Sequence, residues 1–387
     1  MSSPSLYFTD EHEALRQVVR RFVETEINPY VDEWEAERIF PAHELFRKMG
    51  DLGLLGLTYP EEVGGGGVDY WYQTVFLEEI GRAQCAGVPM AIAVQTDMAT
   101  PALAQYGTPE QKQEFLRPAG TGEAVFSIAV SEPDAGSDVA SIRTRAKKDS
   151  DDYVINGSKM WITSGAQADY LTLLARTSED EGFRGMSLII VPTRTPGFSV
   201  SRKLEKLGNH SSDTAILSFD NVRVPQANRI GPEGNGFYVQ MEQFQVERLA
   251  ASIMAVSGME RAIEMTINYC RERRVFGRPL LENQWVYFKL SELLAEVEAL
   301  RQLNYHCVRK YVAGRDMTRE ASMAKLKMGR LSRRVADTCL QFHGGMGYVE
   351  EYPIARYFRD TRLASIGGGA DEVMLGIIAR SAGIFPE

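Results

Sequence analysis

The sequence predicts an α+β protein in which a helical stretch, a β-rich stretch and a second helical stretch follow one another along the 387 residues. Up to about residue 120, apolar residues occur at helical spacing, and prolines separate the segments. From about residue 125 to 230, short runs of β-like composition replace them. From Gly236 onward, long segments with few helix breakers return. We therefore expect three domains, at residues 1–122, 123–235 and 236–387.

The β-rich stretch is expected to form a small antiparallel sheet or barrel, because several strand-like runs follow one another with turns at short spacing. The runs lie at 153–162, 170–175, 186–192, 214–219 and 222–225. Asn156-Gly157 falls inside the first run, and this dipeptide is the strongest short-range hairpin signal. We therefore predict a hairpin turn at these two residues.

The last third of the chain predicts an antiparallel helical bundle. Three segments, at 237–271, 283–312 and 318–342, are rich in Ala, Leu, Glu, Arg and Met, and a shorter one follows Asp371. Helices of this length with short connections pack side by side in bundles.

The composition argues against several kinds of partner. The chain has 43 Lys and Arg against 52 Asp and Glu, a formal net charge of −9, and no basic run. Nucleic acid and anionic membranes are therefore not expected as its main partners. No apolar run approaches the ~18 residues that a membrane-spanning helix needs, so no membrane span is expected.

The cysteines and histidines indicate a reducing compartment and no metal site. Cys85, Cys270, Cys307 and Cys339 lie far apart without a CxxC pair, and the five histidines include no HExxH pair. This pattern is typical of reduced, mostly buried thiols. Because the N-terminus also lacks the apolar segment of a signal peptide, we expect a cytoplasmic protein, or a mitochondrial matrix protein if the source is eukaryotic.

Six short strings, spread in order over more than 200 residues, are similar to those of acyl-CoA dehydrogenases. They are SEPDAGSD at 131–138, WIT at 161–163, RRVFG at 273–277, QFHGG at 341–345, EYP at 351–353 and RD at 359–360. The resemblance implies a helical N-terminal domain, a small central antiparallel β-barrel domain and a C-terminal four-helix bundle. It also implies FAD as cofactor, although no GxGxxG follows a strand and a Rossmann dinucleotide site is therefore unexpected.

The resemblance assigns the flavin ring to the β domain. It implies that Ser131 bonds the ring edge, that Ser137 contacts flavin and substrate, that Trp161 packs on the ring, and that Thr163 donates near N5. For Trp161 and for Phe276, each taken singly, simple core packing is the favoured interpretation. Thr163 alone is no more informative, because threonine is common in strands.

The resemblance assigns the rest of FAD to a neighbouring subunit, and so implies a homotetramer built as a dimer of dimers. Arg273 would pair with the pyrophosphate, which suits a guanidinium group. Glu372 lies where the family has Gln or Glu. The residues implied at the adenosine end are Phe276, Leu280, Gln284, Gln341, Phe342 and Gly345.

The catalytic base is expected on a helix. Many members carry a glutamate in the loop before the last helix, but this chain has Gly368 at that position. The isovaleryl-, long-chain- and citronellyl-CoA dehydrogenases resemble it in a Glu-Arg-Leu string, here residues 247–249, which makes Glu247 the expected base. Arg248 and Gly367 are then expected near the substrate. The alternative is that Glu247 is a solvated helix residue paired with Lys or Arg, and that Arg248 is an ordinary surface charge.

The chemistry implied is α,β-dehydrogenation of a medium- or long-chain acyl-CoA, with or without a methyl branch, to the trans-2-enoyl-CoA. Burial should raise the pKa of Glu247 toward neutrality. The N–H of Gly368 should stabilise the enolate oxygen, and an electron-transfer flavoprotein should take the electrons. Three alternatives stay open: an acyl-CoA oxidase, a nitroalkane oxidase, and a catalytically silent protein that binds flavin or acyl-CoA.

Overall fold

The computed structural model describes residues 6–180 and 182–384, and its first part is helical, as predicted. The end residues 1–5 and 385–387 of the two predicted outer domains therefore lie outside the described residues. The N-terminal helices are α1 (Asp10–Phe22), α2 (Val31–Glu37), α3 (Ala42–Asp51), α4 (Tyr70–Ile80), α5 (Gly87–Ala93), α6 (Pro101–Tyr106), α7 (Pro109–Gln111) and α8 (Arg117–Gly120).

A π-helical turn, Val94–Ala99, connects α5 to α6. Such turns widen the helix by one residue and often occur at functional sites. Its side chains are mostly buried, among them Gln95 and Asp97. The turn packs against the first strand of the sheet and against the first long helix of the C-terminal part.

The central part forms one eight-stranded sheet in the order β6-β7-β3-β2-β4-β5-β8, with β1 paired to β4. The strands are β1 (Phe126–Ala129), β2 (Arg145–Asp149), β3 (Asp152–Thr163), β4 (Tyr170–Arg176), β5 (Met186–Pro192), β6 (Phe198–Lys203), β7 (Thr214–Pro225) and β8 (Arg229–Ile230).

The sheet differs in two ways from the antiparallel barrel that was expected. The pairs β1/β4 and β2/β4 are parallel, although the other pairs are antiparallel. In the described chain, no pairing joins the ends β6 and β8, so the barrel does not close. Side chains from both halves of the sheet, such as Leu173 and Phe219, nevertheless share one core. The sheet therefore wraps around this core as an incomplete barrel.

The hairpin predicted at Asn156-Gly157 is wrong. β3 continues through both residues and only bulges there against β7. The turn lies instead at Ser150 and Asp151, because β2 and β3 pair from Asp149 and Asp152 onward, and Ser150 adopts a positive φ of 56°. Gly157 is needed for a different reason. A Cβ there would lie 2.5 Å from Oγ1 and 2.8 Å from Cα of Thr144.

The C-terminal part contains the predicted helices and one more. They are α9 (Gly236–Glu272), α10 (Gln284–Val312), α11 (Thr318–His343), α12 (Pro353–Thr361) and α13 (Asp371–Ser381). A two-stranded hairpin, β9 (Arg274–Val275) and β10 (Arg278–Pro279), lies between α9 and α10. Helix α12 begins at Pro353, whose fixed φ suits the first turn of a helix. Among the described residues, no helix is long and apolar enough to cross a membrane.

The long helix α9 contributes to three of the four hydrophobic cores found among the described residues. Val239, near its start, packs in the core between the sheet and the N-terminal helices. Leu249 lies in the core of the N-terminal helices, and Met259 lies in the core of the C-terminal bundle. Cys85, Cys270, Cys307 and Cys339 are all buried and unpaired, as the sequence predicted.

Candidate active site

Helix α9 carries a buried carboxyl group where it passes the π-helical turn. Glu247 is only 8% exposed. Its Oε1 accepts hydrogen bonds from Nε2 of Gln240 at 3.2 Å and from Nε2 of Gln243 at 3.0 Å. The three residues share one helix face because they lie at positions i, i+3 and i+7. In the described part of the chain, no donor bonds to Oε2 of Glu247. One carboxylate oxygen is therefore fixed and the other is available.

Gln243 fixes this arrangement to the N-terminal domain. Its Nε2 donates to the carbonyl oxygen of Met98 in the π-helical turn as well as to Glu247. Its Oε1 accepts from the backbone N–H of Ala102 at 3.0 Å. A side chain held by three partners has little freedom, so it orients Glu247.

Burial raises the pKa of Glu247 to about 7. The hydrogen bond from Gln243 and the charge of Arg248 oppose this rise, and the carboxylate of Asp97 adds to it. A carboxyl group with a pKa near neutrality both ionises and accepts a proton readily at physiological pH, as a general base must. The alternative interpretation of Glu247 as a solvated, ion-paired residue is therefore wrong.

Asp97 is a second buried carboxyl group in this region, and burial raises its pKa to about 6. Its Oδ1 accepts from the hydroxyl of Tyr70 at 3.1 Å. Its Oδ2 accepts from Gln73 at 2.9 Å and from Thr96 at 2.6 Å. Both oxygens of Asp97 are thus used within the fold, whereas Glu247 keeps one oxygen free. Of the two, Glu247 is the candidate base.

The loop between α12 and α13 contacts Arg248, the residue next to Glu247 on α9. Arg248 is buried, so the alternative of a surface charge is wrong, and its Nε donates to the carbonyl oxygen of Gly368 at 3.4 Å. From the other side, Nζ of Lys325 on α11 donates to the carbonyl oxygen of Gly369. Gly368 and Gly369 have φ values of +65° and +97°, a conformation that strongly favours glycine.

The backbone N–H of Gly368 is unpaired within the described chain. The preceding N–H, of Gly367, is used in a 2.9 Å hydrogen bond to the carbonyl oxygen of Leu363. A Cβ built on Gly368 would meet nothing nearer than Cε of Lys325 at 4.0 Å. The loop therefore offers an unpaired donor beside an open space.

Trp161 lies on a bulge of β3 and faces outward. The register between β3 and β7 shifts between Lys159 and Ile162, and Trp161 within this bulge has a φ of +65°. Its indole is 59% exposed. Thr163, at the end of the strand, accepts a hydrogen bond at its carbonyl oxygen from the hydroxyl of Ser127. The interpretation of Trp161 as a core residue is therefore wrong.

A buried ion pair holds the 131–138 loop against this bulge. Nζ of Lys159 donates to Oε1 of Glu132 at 2.9 Å and to the carbonyl oxygen of Val130 at 2.8 Å. The N–H of Met160 donates to the carbonyl oxygen of Ser131 at 2.9 Å. Ser131 is consequently fixed next to Trp161, while Ser137 lies exposed further along the same loop.

The residues expected around the rest of FAD lie on the C-terminal bundle. Phe276 forms the tip of the β9–β10 hairpin with Gly277, and both have positive φ, as a tight two-residue turn requires. The ring of Phe276 is fully exposed, and Arg273 at the base of the hairpin is exposed too. Leu280 and Phe342 pack against the bundle core.

The remaining predicted residues lie near the ends of the bundle helices. Gln341 and Phe342 line a groove between α10 and α11, which Trp285 also lines. Gln284 is the first residue of α10. Gly345 lies exposed in the turn after α11, and Glu372 lies exposed in the first turn of α13.

The comparisons with known proteins decide the family. Family models match three consecutive stretches: "Acyl-CoA dehydrogenase, N-terminal domain" over residues 9–123, the middle domain over 127–222 and the C-terminal domain over 234–383. The chain belongs to the acyl-CoA dehydrogenase family. Its activity is therefore the dehydrogenation of an acyl-CoA.

Similar acyl-CoA dehydrogenases cover nearly the whole chain. The acyl-CoA dehydrogenase of Bacillus subtilis is 37% identical over 97% of this chain and 98% of its own length. The mitochondrial long-chain specific acyl-CoA dehydrogenase of Rattus norvegicus is 38% identical over 96% of this chain and 86% of its own length. The crystal structure of the Geobacillus kaustophilus enzyme is 40% identical, with a TM-score of 0.94, and the match covers 98% of this chain and 100% of that one.

Within one chain of this acyl-CoA dehydrogenase, the two groups of predicted FAD residues are separate. Ile162, beside Trp161, lies in the core of the sheet, and Leu280 packs against the core of the bundle. In the described residues, no hydrogen bond, ion pair or ring contact joins the two groups. The structure does unite Glu247, Arg248 and Gly368.

Sequence reasoning missed three residues of this site. Gln240 and Gln243 precede Glu247 by seven and four positions, so helical spacing was an available signal for them. Lys325 has no such signal. It lies on a different helix, and only the packing of α11 against the loop brings it to Gly369.

Proposed function

We propose that this chain binds FAD and dehydrogenates a medium- or long-chain acyl-CoA, with or without a methyl branch, and that Glu247 removes the α-proton. The observation that carries this proposal is the asymmetry of the Glu247 carboxylate. Two carboxamides hold Oε1, while Oε2 stays available to a proton. Its pKa of about 7 matches the task.

The loop between α12 and α13 offers a group that can stabilise the negative charge of the enolate. When Glu247 takes the α-proton, negative charge develops on the thioester oxygen. A fixed N–H at that oxygen stabilises the charge because it needs no reorganisation. The unpaired N–H of Gly368 is our candidate. Glycine at 367 and 368 also leaves room beside the reacting carbons, which supports substrates with a branch.

The β-domain residues fit one face of a flavin. Trp161 presents an exposed indole on a rigid bulge, and Ser131 is held beside it by the Lys159–Glu132 pair. We infer that Trp161 packs on the ring, and that Ser131, Ser137 and Thr163 bond its edge. Bound FAD would accept the hydride that leaves the β-carbon.

We infer that a second subunit completes this site. Arg273 and Phe276 are exposed on the hairpin, and no contact between the hairpin and Trp161 occurs among the described residues. We therefore propose that the hairpin of one chain contacts FAD in its neighbour, with Arg273 at the pyrophosphate, the adenosine end along Phe276, Gln341 and Phe342, and a homotetramer as the assembly. Light scattering of the FAD-loaded protein should give the mass of four chains. The mass of one chain with full flavin content would contradict the proposal.

We propose an electron-transfer flavoprotein as the electron acceptor. A similar solved structure supports this choice. It is described as the electron transferring flavoprotein of Acidaminococcus fermentans, and its matching chain is 31% identical to this one with a TM-score of 0.94. The match covers 98% of this chain and 99% of that chain. An oxidase would instead produce hydrogen peroxide from oxygen at the rate of substrate turnover, and a silent binding protein would leave its flavin oxidised under all acyl-CoAs.

The test of the proposed base is Glu247→Gln, which keeps the shape and can still accept both carboxamide hydrogen bonds. Anaerobic reduction of the flavin by acyl-CoA should slow by roughly 10²–10⁴-fold, the usual contribution of a positioned base. FAD content and acyl-CoA affinity should be unchanged. Glu242→Gln is the matched control, because Glu242 lies exposed on the same helix. Wild-type flavin reduction in Glu247→Gln would exclude Glu247 as the base.

A further inference from the structure

Lys325 places a buried ammonium group beside the candidate active site. The proposed reaction gives this group no role so far. Its side chain is 1% exposed, and its Nζ donates to the carbonyl oxygen of Gly369. In the described residues, no carboxylate lies within ion-pair distance of it. Asp371, the carboxylate whose charge affects Lys325 most, pairs instead with Arg330 at 3.6 Å and Arg333 at 3.5 Å.

A buried charge without a counter-ion destabilises the folded state unless something else compensates it. An apolar residue on α11 would avoid this cost, because the neighbouring positions Ala324 and Met328 are already packed in the bundle core. Uncompensated buried charges of this kind occur where a protein needs the charge for its chemistry.

Lys325 and Arg248 hold the loop from two helices. Arg248, on α9, donates to the carbonyl oxygen of Gly368, and Lys325, on α11, donates to the next one. With Gly367 bonded to Leu363 on the preceding turn, the backbone is fixed on both sides of the Gly368 N–H. Two positive charges therefore lie beside the unpaired N–H of Gly368.

We propose that Lys325 is a positioning residue for the dehydrogenation: it orients the Gly368 N–H by holding the Gly369 carbonyl, and its charge stabilises the enolate that forms when the α-proton leaves. This inference rests on the proposed function, since it assumes that the substrate thioester lies at the Gly368 N–H. The groups that face Lys325 are Arg248 from α9 and Asp371 and Glu372 from α13.

The charge on Lys325 should be visible in the pH dependence. Burial lowers the pKa of Lys325 to about 8, against the opposing effect of Asp371. Turnover should therefore rise as Glu247 ionises near pH 7 and fall again as Lys325 loses its proton above about pH 8. Arginine stays charged at both pH values, so Lys325→Arg should keep its activity and lose the alkaline fall.

The decisive measurement is the ionisation of a bound analogue. An acyl-CoA with sulfur in place of the β-carbon loses its α-proton but cannot give a hydride, and the enolate is followed by its long-wavelength absorbance against oxidised flavin. Lys325→Met should raise the apparent pKa of the bound analogue by about one pH unit, a tenfold weaker stabilisation of the enolate, and lower kcat about tenfold or more with little change in KM. Lys325→Arg should restore both.

Lys327→Met is the matched control, because Lys327 lies two residues along the same helix and pairs at the surface with Glu296. It should ionise the analogue as the wild type does. A wild-type analogue pKa in Lys325→Met would overturn the proposal. If that variant does not fold, an alkaline fall that persists unchanged in Lys325→Arg overturns it equally. Failure of Glu247 as the base would appear separately, as unchanged ionisation in Glu247→Gln.

Discussion

Nε2 of Gln243 lies 3.0 Å from Oε1 of Glu247, one turn further along α9. The same Nε2 bonds the carbonyl oxygen of Met98, so a single carboxamide connects the candidate base to the π-helical turn of the N-terminal domain. This connection fixes the carboxylate in a buried place where its charged form is disfavoured. A base of this kind should therefore reduce the stability of the protein that carries it.

The first prediction is that Glu247→Gln is more stable than the wild type at alkaline pH. The pKa of Glu247 rises from 4.5 to about 7 on folding. Below pH 4.5 the carboxyl group is neutral in both states and costs nothing. Between pH 4.5 and about 7 it ionises in the unfolded state but stays neutral in the folded state, so the folded protein loses stability over this range, and the loss is complete above pH 7. At about 1.4 kcal/mol per unit of pKa shift, the free energy of unfolding of Glu247→Gln should exceed that of the wild type by on the order of 3 kcal/mol at pH 8.5. Urea unfolding of both FAD-loaded proteins at pH 4.5 and 8.5 measures it, and parallel pH profiles would contradict it.

The second prediction concerns a base moved to the loop. Gly368→Glu in the Glu247→Gln background should raise the rate of flavin reduction at least about tenfold above that of Glu247→Gln alone. The gain should occur mainly with straight-chain acyl-CoA, because the new side chain fills the space that a branch would need. The positive φ of Gly368 should cost about 1–2 kcal/mol of stability. Gly367→Glu in the same background is the control, since a Cβ there meets Leu363 at 3.3 Å. Equal activity of the two double variants would contradict a specific role for position 368.

The third prediction separates two adjacent arginines. Arg273→Ala should lower the amount of FAD retained after gel filtration, because the pyrophosphate loses a charged partner. Arg274→Ala should retain FAD as the wild type does, because Arg274 bonds within its own hairpin, to the carbonyl oxygen of Gly277 at 3.1 Å. Absorbance of the flavin per chain is the measurement. Equal retention in both variants would remove Arg273 from the cofactor site.

The fourth prediction tests the role found for Gly157. Gly157→Ala should lower the free energy of unfolding by roughly 1–3 kcal/mol, because the added methyl group overlaps Thr144. Gly314→Ala is the control: its φ is also positive, at 63°, but a Cβ there meets nothing within 4 Å. A hairpin turn at Asn156-Gly157 would predict similar costs for both variants, so equal losses would contradict the present account.

The sequence alone determined the order of the domains and the identity of the expected base. Helical and strand periods differ clearly over stretches this long, and they are local properties of the chain. Glu247 was expected as the base because of the family resemblance, which gives a meaning to the glycine at 368 and to the Glu-Arg-Leu string at 247–249. The prediction of a hairpin turn at Asn156-Gly157 was wrong. A turn signal reports only local preference, and the long-range pairing of β3 with β7 overrode it.

Only the tertiary structure decided what surrounds the base. Burial of Glu247 and the resulting rise in its pKa depend on the packing of α9 against the π-helical turn, which lies some 150 residues away in sequence. The same holds for Lys325, which reaches Gly369 across 44 residues because α11 packs against the loop. Electrostatic effects depend on distance and solvent exposure in space. A linear pattern of residues contains neither.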